Sequence, residues 1–260
     1  MDDTQSARRY CCELLAISVT AASCGGPEMH IPDGFIDPGT SAVAGVVAIG
    51  AVGVCVKQAG KAIDDKDVPL AGLAAAFVFS VQMLNFPVAS GTSGHLLGGA
   101  LAAVLVGPWL GPLCVAVVLV VQGLLFADGG LSALGLNVVN MSLIGGWGGY
   151  VVFVGLRTVL PRARSAIVVA SGIAAGLSVP LAALAFTVQY AIGGNDATSV
   201  STVAVAMVGV HLLIGIGEGV ITAMTVSAVM AVRPDLVYGA RSRDFAPFAV
   251  PAPVTTAVGG

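Results

Sequence analysis

Charge is what this sequence has least of. Only 10% of its 260 residues are Asp, Glu, Lys or Arg, against about 25% in a soluble domain. So little charge cannot cover the surface of a water-soluble globule of this length. Aromatic residues are also scarce, at 6%, which is poor material for a pocket shaped around an organic ligand. There is no basic excess: the net charge is −3, so nothing suggests a nucleic-acid partner. The five cysteines, Cys11, Cys12, Cys24, Cys55 and Cys114, form no C-x-x-C pair, and neither disulfides nor a zinc site are expected. Cys55 and Cys114 sit inside apolar runs and read as small buried hydrophobes. No G-x-x-x-x-G-K-[ST] loop occurs, so the chain has no phosphate cradle for hydrolysing ATP.

Apolar residues are abundant instead. The chain is 57% hydrophobic with a mean hydropathy of +0.96. Its apolar stretches are long, whereas barrel strands are short and alternating, so the predicted class is an all-α integral membrane protein. The thirty-five glycines suit membrane helices that pack closely. Seven spans are predicted, over 38–57, 68–86, 95–107, 110–126, 138–160, 165–190 and 208–232. The third is short. The region 199–232 exceeds one simple span, so its first part reads as an outer extension or a separate surface helix. Residues 240–260, ARSRDFAPFAVPAPVTTAVGG, read as a disordered tail. The expected organisation is an N-terminal extension over 1–28, a membrane component over 29–239 and the tail over 240–260.

Basic residues orient these spans. Beyond Met29 they are Lys57, Lys61, Lys66, Arg157, Arg162, Arg164, Arg233, Arg241 and Arg243. With Met29 outside and seven helices following, every one falls on the cytoplasmic side, as the positive-inside rule requires. The outer loops, around 87–94, 127–137 and 191–198, hold none. A multi-pass cell-membrane protein is expected, with its C-terminus cytoplasmic.

At the border of the first span stands EMHIPDGF, residues 28–35. The preceding 28 residues contain Arg8, Arg9 and a weakly apolar stretch interrupted by Glu13, and lack an A-x-A site before Met29. Three origins stay open: translation starting at Met29, a processed leader, or a retained extension. A chain beginning Met29-His30 acquires distinctive chemistry. The terminal amine, the His30 backbone nitrogen and the His30 imidazole Nδ1 close adjoining five- and six-membered rings around one ion. The amide must lose its proton, which only a strongly polarising transition metal induces. A fourth in-plane nitrogen completes a square, a geometry suited to Ni(II) or Cu(II), with Co(II) accommodated. The only other histidines are His95 and His211. His95 ends the uncharged outer loop SGTSGH, where Gly91 and Gly94 permit close approach. The plainer readings remain: His30 as a surface residue, Pro32-Asp33-Gly34 as a turn, Asp37 as a helix cap beside Pro38, and His95 as a polar cap.

Four stretches carry a family resemblance: MHIPDGF at 29–35, NFPVASGTSGHLLGGALAAVLVGPW at 85–109, DGGLSALGLNVVNM at 128–141 and HLLIGIGEG at 211–219. Together they resemble the CbiM/NikM family, the substrate-binding S components of energy-coupling factor transporters for cobalt and nickel. The resemblance covers about residues 29–232. It implies a seven-helix component, not itself an enzyme, with the transported Co(II) or Ni(II) held at the outer face and no resident cofactor. The implied ligands are the Met29 amine, the His30 backbone nitrogen and imidazole, and the His95 imidazole. Implied partners are two ATP-binding subunits, a transmembrane coupling subunit and a small accessory membrane subunit. The N-terminal extension departs from the pattern, since the family needs Met-His at the mature end. Asn85, Asn137 and Asn140 match family positions; each reads as an interhelical hydrogen-bonding amide or as a support for the metal loop. Ser93, His211 and Glu218 join this supporting or coupling group, His211 and Glu218 standing two turns apart on one helix.

Two rival functions use the same residues differently. Gly91-Thr92-Ser93-Gly94 is a literal G-x-S-G, and Ser93 with His211 would make the dyad of a rhomboid-like intramembrane serine protease. A vitamin-binding S component is the other. Both leave MHIPDGF unused.

Overall fold

The computed structural model describes the backbone of residues 30–63, 67–83, 86–89, 92–194 and 198–241, and the side chains of these except 62, 86–89 and 92–94. Met29 and the extension before it, Lys66, Asn85, Gly91, Arg243 and the tail from 242 lie outside the described residues, as does the side chain of Ser93.

Each predicted span meets a helix. These are α1 (Pro38–Ala62), α2 (Asp67–Gln82), α3 (Gly99–Val106), α4 (Leu110–Leu125), α5 (Leu134–Val159), α6 (Arg164–Gly193) and α7 (Val200–Val232). Four of them, α1, α5, α6 and α7, are long and apolar enough to cross a membrane; α2 and α4 are shorter apolar helices. The eight residues of α3 are all buried in the protein.

The departures from expectation have local causes. The second span stops at Gln82 because Pro87 follows. Residues Phe86–Ala89 instead pair antiparallel with Thr92–Gly94 in a small hairpin, β1–β2; proline has no N–H to continue a helix. The third helix begins at Gly99 rather than 95, leaving 95–98 outside any helix or strand. The stretch before 208 is an extension of the last helix and not a separate one: α7 is continuous over 33 residues. Its outer turns find a core of their own, since Val203 and Met207 pack with Ile36, Phe186 and Tyr190.

Asp37 caps α1 as its position beside Pro38 suggested, accepting the N–H groups of Gly39 (2.8 Å) and Thr40 (3.1 Å). The hydroxyl and amide of Thr40 hold its carboxyl below the usual carboxylate range. Ile36 bridges to Gly194, so the start of α1 and the end of α6 share one end of the molecule. Chain direction then puts Lys57, Lys61, Arg157, Arg162, Arg164 and Arg233 at the other end.

Helices α6 and α7 touch backbone to backbone. A methyl group at Gly219 would stand 2.8 Å from the Gly172 carbonyl oxygen, and one at Gly215 would collide with the Gly176 carbonyl. This is small-residue packing that bulkier side chains would forbid. At the basic end the chain turns back after α7. Val237 and Ala240 are buried among α3 and α5, and Arg241 reaches Asp67 at 2.8 Å.

Helix α5 is the irregular element. Its segment Val138–Gly148 is wound as a π-helix. A side chain at Gly99 would stand 2.6 Å from the Met141 carbonyl oxygen and 2.8 Å from the Gly146 nitrogen, so the start of α3 rests directly on the widened backbone. Ser142 fastens the same stretch to α4 through the Pro112 carbonyl at 2.6 Å.

Candidate functional site

Two segments far apart in sequence meet at one point. The His30 and His95 rings lie 4.9 Å apart, centroid to centroid, tilted by 56°. Both residues are buried.

The His30 segment is fastened to the loop between α4 and α5. Asn137 clasps the backbone of the next residue from both sides: Ile31 N–H donates to Asn137 Oδ1 (3.1 Å) and Asn137 Nδ2 donates to the Ile31 carbonyl (3.4 Å). Gly130 N–H donates to that same carbonyl at 2.9 Å. Asp33 accepts the amide of Ser132 at 2.8 Å and its hydroxyl as well. These two bonds, the hydroxyl first, hold the Asp33 carboxyl below the usual range. The loop must approach closely. Gly129 has φ +88, and a side chain there would come within 2.6 Å of the His30 Cβ; one at Gly130 would overlap the Asp33 backbone. Asn137 is therefore hydrogen-bonded directly to the His30 segment.

The His95 segment is fastened to helices. His95 Nδ1 lies 3.0 Å from the Leu96 carbonyl oxygen. A carbonyl only accepts, so Nδ1 carries the proton and Nε2 holds the lone pair. That is the usual arrangement of a metal-binding histidine, whose second nitrogen donates to a backbone carbonyl. Glu218 accepts the amides of Leu97 and Gly98. It is thus joined to the loop that carries His95.

Sequence reasoning missed two residues. Asp128 Oδ1 stands 3.2 Å from His30 Nδ1, and Ala127 before it takes a left-handed φ of 51°, a conformation that disfavours a side chain. Nδ1 is the nitrogen that a chelate with the His30 amide needs, so binding an ion there requires the ring or the carboxylate to turn. An acidic residue in a loop with so few charges was the available signal. The other is Gln82, a lone amide in an apolar run, whose Nε2 donates to the Leu97 carbonyl at 2.6 Å.

Asn140 and His211 do different work. Asn140 exchanges two 2.8 Å bonds with Gln189, an amide pair joining α5 to α6. His211 Nδ1 donates to the Met207 carbonyl of its own helix at 2.7 Å. Among the described residues no three His, Cys, Asp or Glu side chains form a metal-binding group.

The chain has relatives among known proteins. Residues 30–236 match the family described as CbiM, cobalt uptake substrate-specific transmembrane region. The cobalt transport protein CbiM of Sorangium cellulosum is 34% identical over 217 residues, covering 80% of this chain and 94% of that protein. The fused nickel transport protein NikMN of Rhodobacter capsulatus is 32% identical over 222 residues, covering 80% of this chain and 64% of the fused protein. A crystal structure of a truncated transition metal transporter superposes with a TM-score of 0.71 at 32% identity, over 78% of this chain and 99% of that one. With the family matched over nearly all of its membrane part, the chain belongs to the CbiM family, the substrate-specific membrane component of cobalt and nickel transport.

Proposed function

We propose that this chain captures Co(II) or Ni(II) for an ATP-driven energy-coupling factor importer. In this reading residues 29–239 are the metal-binding component and all seven helices cross the cell membrane, the short α3 shielded inside the protein. The Met29 end faces outside and the basic end faces the cytoplasm. The ligands are the amine of Met29, the backbone nitrogen and imidazole of His30, and the imidazole of His95, in a square plane. The observation that carries it is the convergence of the only two histidines placed for the task, His30 and His95, with ring centroids 4.9 Å apart.

The chemistry follows from the donor set. Deprotonating the His30 amide lowers the charge of the bound ion from +2 to +1, which reduces the cost of holding it in a buried place. Four nitrogens in a plane favour late first-row divalent ions over the oxygen-seeking Mg(II) and Ca(II). The fifth member of the site, Asp128, releases Nδ1 as the ion arrives. Hydrolysis of ATP falls to two partner ATPases. A membrane coupling subunit and a small accessory subunit complete the assembly, and the whole component tilts to release the ion inward.

Metal analysis of the purified chain, with its amino terminus sequenced, tests this. About one Co(II) or Ni(II) per chain is expected, on protein beginning at Met29, and the metal is lost in His95→Ala. Equal metal content in wild type and His95→Ala overturns the ligand set, as does full transport by protein whose Glu28–Met29 bond is intact.

A further inference from the structure

Two consecutive peptide groups after His95 are gripped from three sides. The first joins Leu96 to Leu97. Its carbonyl accepts from His95 Nδ1 (3.0 Å) and its N–H donates to Glu218 Oε2 (2.6 Å). The second joins Leu97 to Gly98. Its carbonyl accepts from Gln82 Nε2 (2.6 Å) and its N–H donates to Glu218 Oε1 (2.9 Å). Gln82 comes from the last turn of α2 and Glu218 from the middle of α7. Gln82 is fully buried and Glu218 only 2% exposed. The other side-chain atom of Gln82, Oε1, meets no hydrogen-bond partner among the described residues, so its amide serves this contact.

Capping alone does not explain the arrangement. The leading amides of a buried helix such as α3 need acceptors, and a negative group there is favourable. A Ser, Thr, Asn or Asp at the cap position accepts from the second or third helical residue, whereas the amides held by Glu218 are those of the cap residue and of Leu97 before it. Here that position is Gly98, at φ +73, where a side chain would stand 2.9 Å from Val78. The acceptor has been placed on another helix, 120 residues away. The result is a continuous line from the Glu218 carboxyl through one peptide group to the His95 ring. Hydrogen bonds in such a line polarise one another. It fixes the imidazole by its Nδ1–H and leaves Nε2 as the donor, which is what a carboxylate does for a zinc-bound histidine in one step fewer.

We propose that Glu218 and Gln82 are positioning residues for metal capture: through the peptides around Leu97 they set the orientation and donor strength of the His95 imidazole. The inference rests on the four-nitrogen site proposed above, and its test separates the two. Ni(II) is titrated into purified protein beginning at Met29 and the ligand-field absorption band is followed for wild type, His95→Ala, Glu218→Leu, Glu218→Gln and Gln82→Leu. His95→Ala, which retains no metal through purification, takes up Ni(II) added in excess on one in-plane nitrogen fewer, so its band moves to longer wavelength and free imidazole restores it. Glu218→Leu shows the same displacement, an affinity lowered about tenfold or more, and the same restoration by imidazole. Glu218→Gln keeps one acceptor oxygen and falls between, as does Gln82→Leu. Restoration by imidazole marks a misplaced His95, since a misfolded protein does not recover a binding site. A wild-type band and affinity in Glu218→Leu, beside a displaced band in His95→Ala, overturns the clamp while leaving the site intact. An unmoved band in His95→Ala overturns the site itself. If Glu218→Leu does not fold, wild-type bands in both Glu218→Gln and Gln82→Leu overturn the clamp.

Discussion

The two histidine-bearing segments are held in contrasting ways. The His30 segment lies against a glycine-rich loop at the molecular surface, and one of its fasteners, Asp33, is exposed. The His95 segment is locked by buried side chains from α2 and α7 that lie far from each other in sequence. The difference matters because an unpaired group costs about 1–3 kcal/mol when buried and little when water can replace its partner. The inner segment is therefore integral to the fold. The outer one is a clasp that can be altered with less damage to the rest of the chain.

Mutations that separate stability from metal binding test that contrast. The largest loss of stability is expected for Glu218→Leu, which strands two buried amides and should cost about 2–5 kcal/mol, read by thermal unfolding in detergent. Gly129→Ala comes next. It forces a side chain against His30 and into a left-handed backbone that costs about 1–2 kcal/mol. Its Ni(II) affinity should fall at least about tenfold by calorimetric titration, a larger effect on binding than on unfolding. If Gly129→Ala unfolds the protein as readily as Glu218→Leu does, the contrast is lost. Asn137→Leu and Asn140→Leu make a finer comparison. The first frees the Ile31 amide and should weaken Ni(II) binding severalfold. The second breaks an interhelical pair worth about 0.6 kcal/mol and should change binding less than Asn137→Leu in the same titration.

The smallest effect is a pH dependence. Asp33 has its carboxyl held below the ordinary value by Ser132, so the folded state binds the proton less readily than the unfolded chain. Its contribution is present above the ordinary carboxylate pKa of about 4 and is lost as pH falls through the lower folded value. Because the group is exposed, the amount is under about 1 kcal/mol. Ser132→Ala should flatten the acid limb of a melting-temperature profile of metal-free protein below about pH 4. An unchanged limb would remove Asp33 from the clasp.

Much of this was legible in residues near one another. Apolar runs located all seven helices, with every end but the start of α7 within about five positions, because a membrane protein concentrates its apolar residues in its helices. The cap at Asp37 was legible from Asp-Pro. The hairpin at 86–94 was not, although Pro87 stood directly after the span drawn to residue 86. The full length of α7 was not, because composition gives no sign that its outer turns have Ile36 and Tyr190 to pack against. Gln82 and Asp128 went unread for a similar reason: each is a single polar residue whose partner lies on another element.

The sequence alone determined the membrane class, the positions of the helices and the chemical promise of a Met-His terminus with a second histidine, since each depends on composition or on adjacent atoms. Only the tertiary structure decided that His30 and His95 meet, that Asp128 faces the first, and that Glu218 reaches the second through a peptide bond. Those contacts join segments up to 121 residues apart, and no local pattern encodes which distant helix will supply a partner.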